Sequence, residues 1–183
     1  MHGIVFNQLQ LFVARNYGPL AWFKIIKESG TKHKFFMPTE AYDDAEMMKI
    51  VSASEKVSGA SAADILDGFG YFIAPNLVKI FVKDSNWDAM DVLENTEKNI
   101  HKQVRLQTPG ATPPRLNIIR PTPNRVEIHY TSERKLCFFA YGLVRGILDH
   151  YQEETSLSMP SCMSKGDPVT RIIVEKKHTP AQG

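Results

Sequence analysis

Two sets of residues in this chain could do chemistry. Between Asn86 and Arg105, the residues Trp87, Met90, Leu93, Glu97, Ile100, His101 and Val104 recur at helical spacing, and most of that stripe is apolar. His101 is therefore aimed at a core. An imidazole there either hydrogen-bonds inside the core, the commoner case, or lends one ring nitrogen to a metal. Further on, Val126, Ile128, Tyr130, Ser132 and Arg134 share one strand face, provided the strand stays regular to its end. An inward face should finish in apolar residues, yet this one finishes in two hydroxyls and a guanidinium, a donor set for a buried anion. Gly110-Ala111-Thr112-Pro113-Pro114-Arg115-Leu116 turns the chain between the two. A metal-binding imidazole and an anion-binding strand end match what a haem asks of a protein: an axial ligand and partners for its carboxylates.

The elements that must position these residues follow from periodicity. Val5, Leu9, Phe12 and Val13 mark a first helix and Leu20 to Ile26 a second. Thr39 is expected to cap a third, running through Ala41, Ala45, Met48 and Val51 with Asp43 and Asp44 near its start. Ser61-Ala62-Ala63-Asp64 has the form of a capping box ahead of Ile65, Leu66 and Phe69. The His101 helix begins after Asp84-Ser85-Asn86 and stops near Thr108-Pro109-Gly110. The period then changes. Leu116 and Ile118, then Val126, Ile128 and Tyr130, alternate with polar residues about Pro121-Thr122-Pro123-Asn124, which predicts an antiparallel hairpin. Leu136, Phe139, Leu143, Ile147 and Tyr151 return to helical spacing, and Ser156 to Met159 and Thr170 to Val174 predict two more strands.

The fold class is α+β: a helical first half, then a four-stranded antiparallel sheet with one inserted helix, the cofactor lying between the halves. One domain is expected over residues 1–176, its helical part about 1–60 and its haem-enclosing remainder 61–176, with a disordered tail from Lys177 to Gly183. At 183 residues and 43% hydrophobic content, such a chain buries roughly 70% of its unfolded surface, enough to enclose a cofactor. A net charge of +2, from 22 basic against 20 acidic residues, is too small and dispersed for a nucleic-acid or anionic-membrane footprint. The cluster Lys24, Lys27, Lys32 and Lys34 reads as a solvated helix end. No apolar run approaches the ~20 residues needed to span a bilayer. Two cysteines and no recognisable secretory leader favour a reducing cytoplasm.

The ordered set of His101, the Ala111-Thr112-Pro113-Pro114-Arg115-Leu116 turn, Tyr130-Thr131-Ser132-Glu133-Arg134 and Gly142-Leu143 resembles the H-NOX family of haem nitric-oxide/oxygen-binding domains, as do Met1-His2-Gly3-Ile4-Val5 and the surroundings of Gly70. The resemblance covers nearly the whole chain. It implies haem b (iron protoporphyrin IX) with His101 as the iron ligand on one side and Tyr130, Ser132 and Arg134 on the propionates. It implies that Pro114 presses the porphyrin out of plane and that Ile4 and Val5 touch the ring.

It also implies a choice of gas. Relatives that hold dioxygen place a tyrosine beside it, supported by a tryptophan and an asparagine. This chain has Phe139, Leu9 and Ile73 at the matching positions, with Leu143 close by. An apolar pocket gives dioxygen no donor, whereas nitric oxide binds iron strongly without one, so nitric oxide and carbon monoxide are the expected ligands. Tyr141 lies two positions from Phe139 and Tyr71 is close to Ile73, so a slipped register would turn a hydroxyl into the pocket. Release of His101 by nitric oxide, with Gly70 as a hinge, is the mechanism the resemblance implies. No effector segment follows Val174, so unless the chain is an excised domain the output is expected to be read by a separate protein, for which the resemblance implies a histidine kinase or diguanylate cyclase.

Two other classes compete. A haem enzyme would want a distal acid or base such as histidine or arginine, and the assigned pocket supplies none, so no catalytic residue is expected. A zinc module could draw on Cys137, His150 and Cys162, though three scattered residues fall short of the usual four ligands.

Overall fold

The computed structural model describes residues 1–32, 35–107, 109–110 and 112–177. Expectations that rest on Lys34, Thr108, Ala111 and the tail beyond 177 lie outside the described residues. Helix α1 spans Gly3–Tyr17, with the His2 imidazole accepting from the Ile4 amide, and α2 spans Ala21–Ser29. Helix α3 spans Asp44–Ser58. Its cap is Asp43, which accepts from the Ala45 amide at 2.9 Å, and not Thr39. The intervening residues instead carry Ala41 into a bridge with His2, so the helix cannot start until that contact is past. Gly30 and Gly59 end α2 and α3 in the left-handed conformation that glycine adopts without strain.

Helix α4 spans Ala62–Phe81, started by the Ser61 hydroxyl as its sequence suggests. Helix α5, Ala89–Asn95, is opened by a reciprocal capping box between Asp88 and Asp91. The same helix line continues as a π-helical stretch, Thr96–His101, and then α6, Lys102–Gln107. Helical spacing finds the line, but a widened turn leaves no separate mark in hydrophobic periodicity.

Strands β1 (Arg115–Thr122) and β2 (Arg125–Thr131) form the hairpin. After α7 (Cys137–His150) come β3 (Thr155–Ser161) and β4 (Thr170–Lys176). All pairings are antiparallel in the order β1-β2-β4-β3. Ile118 faces Ile128 and Ile128 faces Ile172 in register, so one sheet face is a continuous β-branched surface. Arg120 on β1 holds α5 to the sheet through Asp91 at 2.7 Å and Glu94 at 3.0 Å.

The interior divides into two apolar clusters. One gathers α1 to α4 around Phe6, Leu9, Ile50 and Phe69; the other gathers α5 and the sheet around Met90, Leu93, Val126 and Ile172. Helix α7 serves both, giving Phe139 and Leu143 to the first and Val144 and Leu148 to the second. Among the described residues no helix is long and apolar enough to cross a membrane.

Candidate functional site

A cavity of about 230 Å³ opens where the two clusters meet. Ile4 and Val5 from α1, Ala74 from α4, and Phe139 and Leu143 from α7 line one part of it. His101, Pro114, Tyr130 and Arg134 line another. The walls are thus apolar with two imidazoles, His2 and His101, one phenol and one guanidinium among them, the mixture expected of a cofactor site.

His101 ends the π-helical stretch with its side chain only 15% exposed. Its Nδ1 lies 2.9 Å from Oε2 of Glu97. Burial lowers the imidazole's pKa, against the opposing pull of Glu97, so the neutral form that binds metals is favoured. With Nδ1 engaged by Glu97, Nε2 is the nitrogen left to meet an iron. Glu97 works against its own burial: hydrogen bonds from Arg105 and His101 hold its carboxyl below the ordinary range. Its Oε1 accepts from Arg105 at 2.7 Å and its Oε2 also from the Leu116 amide at 3.3 Å. Sequence reading placed Glu97 on the stripe and gave it no task. The signal was its being the one carboxylate among apolar neighbours.

The anion-binding group is assembled differently from the regular strand expected. β2 stops at Thr131, and the chain turns through Ser132 to Lys135, whose φ is 51°. Ser132 and Arg134 therefore do not continue the face of Tyr130. The Ser132 Oγ accepts from the Arg134 amide at 3.3 Å, which holds the turn together, and Ser132 is not among the cavity-lining side chains. Tyr130 is 3% exposed, its hydroxyl accepting from the Leu136 amide at 3.1 Å, and burial pushes the phenol's pKa up so that it keeps its proton. Arg134 reaches the cavity from the turn. Its guanidinium donates to the Thr112 carbonyl and pairs with Asp44, Nε to Oδ2 at 3.2 Å. Asp44 also pairs with the chain's amino terminus at 2.8 Å. Read as a helix-start charge, Asp44 instead joins the helical half to the anion-binding turn, a long-range contact that spacing does not reveal.

Phe139 also lines the cavity and stacks on Phe69 at 5.1 Å. Leu9 and Ile73 are fully buried in the helical cluster and do not line the cavity; Ala74 takes the wall position beside Ile73. Neither Tyr71 nor Tyr141 lines it. Tyr71 donates to Asp149 at 2.6 Å, and Tyr141 packs with the sheet cluster.

Gly70, the expected hinge, packs at a helix crossing. It lies within the continuous α4, where a side chain would overlap the Phe139 carbonyl, and Gly142 faces the Asp67 carbonyl in the same way. The two helices cross at these glycines. Cys137 and Cys162 come together with Ser164 and Thr170 around them. His150 stands at the other end of α7, about 20 Å along the axis. Among the described residues no three histidine, cysteine or carboxylate side chains gather as a metal site.

This geometry suits a haem: apolar walls for the porphyrin faces, an imidazole for iron, and Arg134 with Tyr130 for carboxylates. A family model for haem-NO-binding domains matches residues 2–159. The chain belongs to the H-NOX family. The cofactor of this family is haem. Solved H-NOX structures superpose over almost the full length. One from Shewanella oneidensis in the Fe(II)NO state has 25% identity and a TM-score of 0.88, covering 97% of this chain and 100% of that one. An H-NOX domain from the same organism in the Fe(II)CO state has 26% identity and a TM-score of 0.85, with 97% and 99% covered. Unliganded Fe(II) H-NOX from K. algicida, at 20% identity and a TM-score of 0.81 over 100% of both chains, supports the fold.

Proposed function

We propose that this H-NOX protein senses nitric oxide and passes the signal to a separate effector by letting go of His101. The observation that carries the reading is the make-up of the cavity's lining. His101 is there to meet a metal, and the residues assigned to the gas, Phe139, Leu143 and Ala74, carry no donor for a bound dioxygen. Ferrous haem, when bound, supplies an iron on which a small diatomic gas can coordinate. Arg134 and Tyr130 would hold the propionates, the guanidinium dividing its donors between them and Asp44, and Ser132 would fix the turn that presents it. Pro114 would bear on the porphyrin from the His101 side.

His101 would hold the π-helical stretch to the haem, and nitric oxide as the gas would favour its release. The freed imidazole would let the helix line move relative to β1, a two-position element biased by ligand. The solved relatives in Fe(II)NO and Fe(II)CO states support nitric oxide and carbon monoxide as ligands here. A histidine kinase or diguanylate cyclase acting in trans is the receiver we propose, in the reducing cytoplasm that two free cysteines suit.

The test is the visible spectrum of the reduced, haem-loaded protein under each gas. We expect a carbon monoxide complex, a nitric oxide complex whose absorption shows the imidazole has left the iron, and no lasting oxygen complex. A stable oxygen complex would overturn the choice of gas. Failure to take up haem would overturn the whole reading.

A further inference from the structure

We infer that Glu97 is a positioning residue for His101, holding the Nδ1 proton so that Nε2 meets the metal and setting how firmly that nitrogen is retained. The inference rests on the haem reading and adds a regulator of the step on which signalling turns.

Two observations carry it. The Nδ1 to Oε2 separation of 2.9 Å is a full hydrogen bond within one turn of the same helix line, between residues four apart. The carboxylate is clamped, with Arg105 of α6 on Oε1 at 2.7 Å and the Leu116 amide of β1 also on Oε2 at 3.3 Å. A glutamate on a helix surface would ordinarily swing into water; this one is tied from two elements, so its place beside the imidazole is not incidental. A backbone carbonyl, another common partner for such an imidazole, carries no charge.

The two acceptors differ in consequence. A hydrogen bond to a carboxylate is charge-assisted and pulls the Nδ1 proton further from the ring than a carbonyl does. Electron density left behind makes Nε2 a stronger donor. Glu97 therefore strengthens the metal bond, favours the oxidised iron, and raises the threshold at which a gas can break that bond. Its link to Leu116 couples the same carboxylate to β1, so release of His101 also loosens a helix-to-sheet contact.

Glu97→Gln tests this, since the amide can still accept from Nδ1 but has no charge. In the reduced haem protein we expect the iron–histidine stretching band to fall, the reduction potential to rise, and nitric oxide to displace His101 faster. Haem affinity should drop roughly 10- to 100-fold, as for other groups that orient a metal ligand. If the Gln variant fails to load haem, Glu97→Asp, with its charge one methylene further back, should move the band the same way by less. An unmoved band and potential in a variant that loads haem would overturn the proposal. Wild-type protein that takes up no haem would overturn the haem reading itself, and the inference with it.

Discussion

Phe139 is where a single atom should change what the protein does. Its ring lines the cavity in the part proposed to receive gas, and the two neighbouring tyrosines that a register slip would bring in are turned elsewhere. Phe139→Tyr places a hydroxyl donor where bound dioxygen carries partial negative charge. The reduced variant is expected to form an oxygen complex that persists in air, seen in its visible spectrum, where the wild type does not. Spectra indistinguishable from wild type would sink the distal-polarity argument. Residue identities at this scale were legible where side-chain type and burial agree, as at His101, Tyr130 and Arg134. They were not legible at Glu97 and Asp44. Carboxylates near helix starts and on helix faces are usually solvated, and the partners that hold these two, Arg105 and the Leu116 amide for one and Arg134 for the other, come from turns and strands that only the fold brings near. Leu9 and Ile73 show the reverse: apolar as expected, but sunk in the helical core rather than lining the cavity.

Between elements, the closest meeting is the crossing of α4 and α7, and it holds Phe139 in place. Gly70, Gly142 and Gly146 let the two backbones approach until no Cβ fits. A methyl at Gly142 would overlap the Asp67 carbonyl, and one at Gly146 would sit 2.7 Å from the Ala74 Cβ. Gly142→Ala must therefore separate the helices, an overpacking penalty of about 1–3 kcal/mol or more. Urea denaturation of the apoprotein should show its midpoint lowered with the slope unchanged. A midpoint equal to wild type would mean the crossing is looser than its contacts indicate. Element existence was readable from period, because six of the helical stretches and all four strands carry their burial in the spacing of apolar residues. Boundaries set by local geometry were not: the strand that ends at Thr131, the cap at Asp43 and the π-helical turn before His101 each depend on backbone contacts rather than pattern.

At the scale of the whole molecule, two apolar clusters share one helix and are otherwise bridged across a cavity, so the haem proposed to fill it would also tie the halves together. His101 is the covalent chain's handle on that tie, through the π-helical stretch that joins α5 and α6. If its release carries the signal, nitric oxide should lower amide-exchange protection over Thr96–His101 and at the start of β1, where Leu116 meets Glu97. A His101→Gly protein supplied with free imidazole keeps the iron ligand but cuts it from the helix. It should still bind nitric oxide spectroscopically while showing no change in exchange over the same residues, because the displaced imidazole no longer belongs to the chain. Apolar filling by the porphyrin would be the same in both proteins, so a difference between them isolates the tether. Should the variant reproduce the wild-type exchange pattern on adding nitric oxide, the motion would have to start from the porphyrin's contact with Pro114, and release of His101 would be a by-product of gas binding rather than its message.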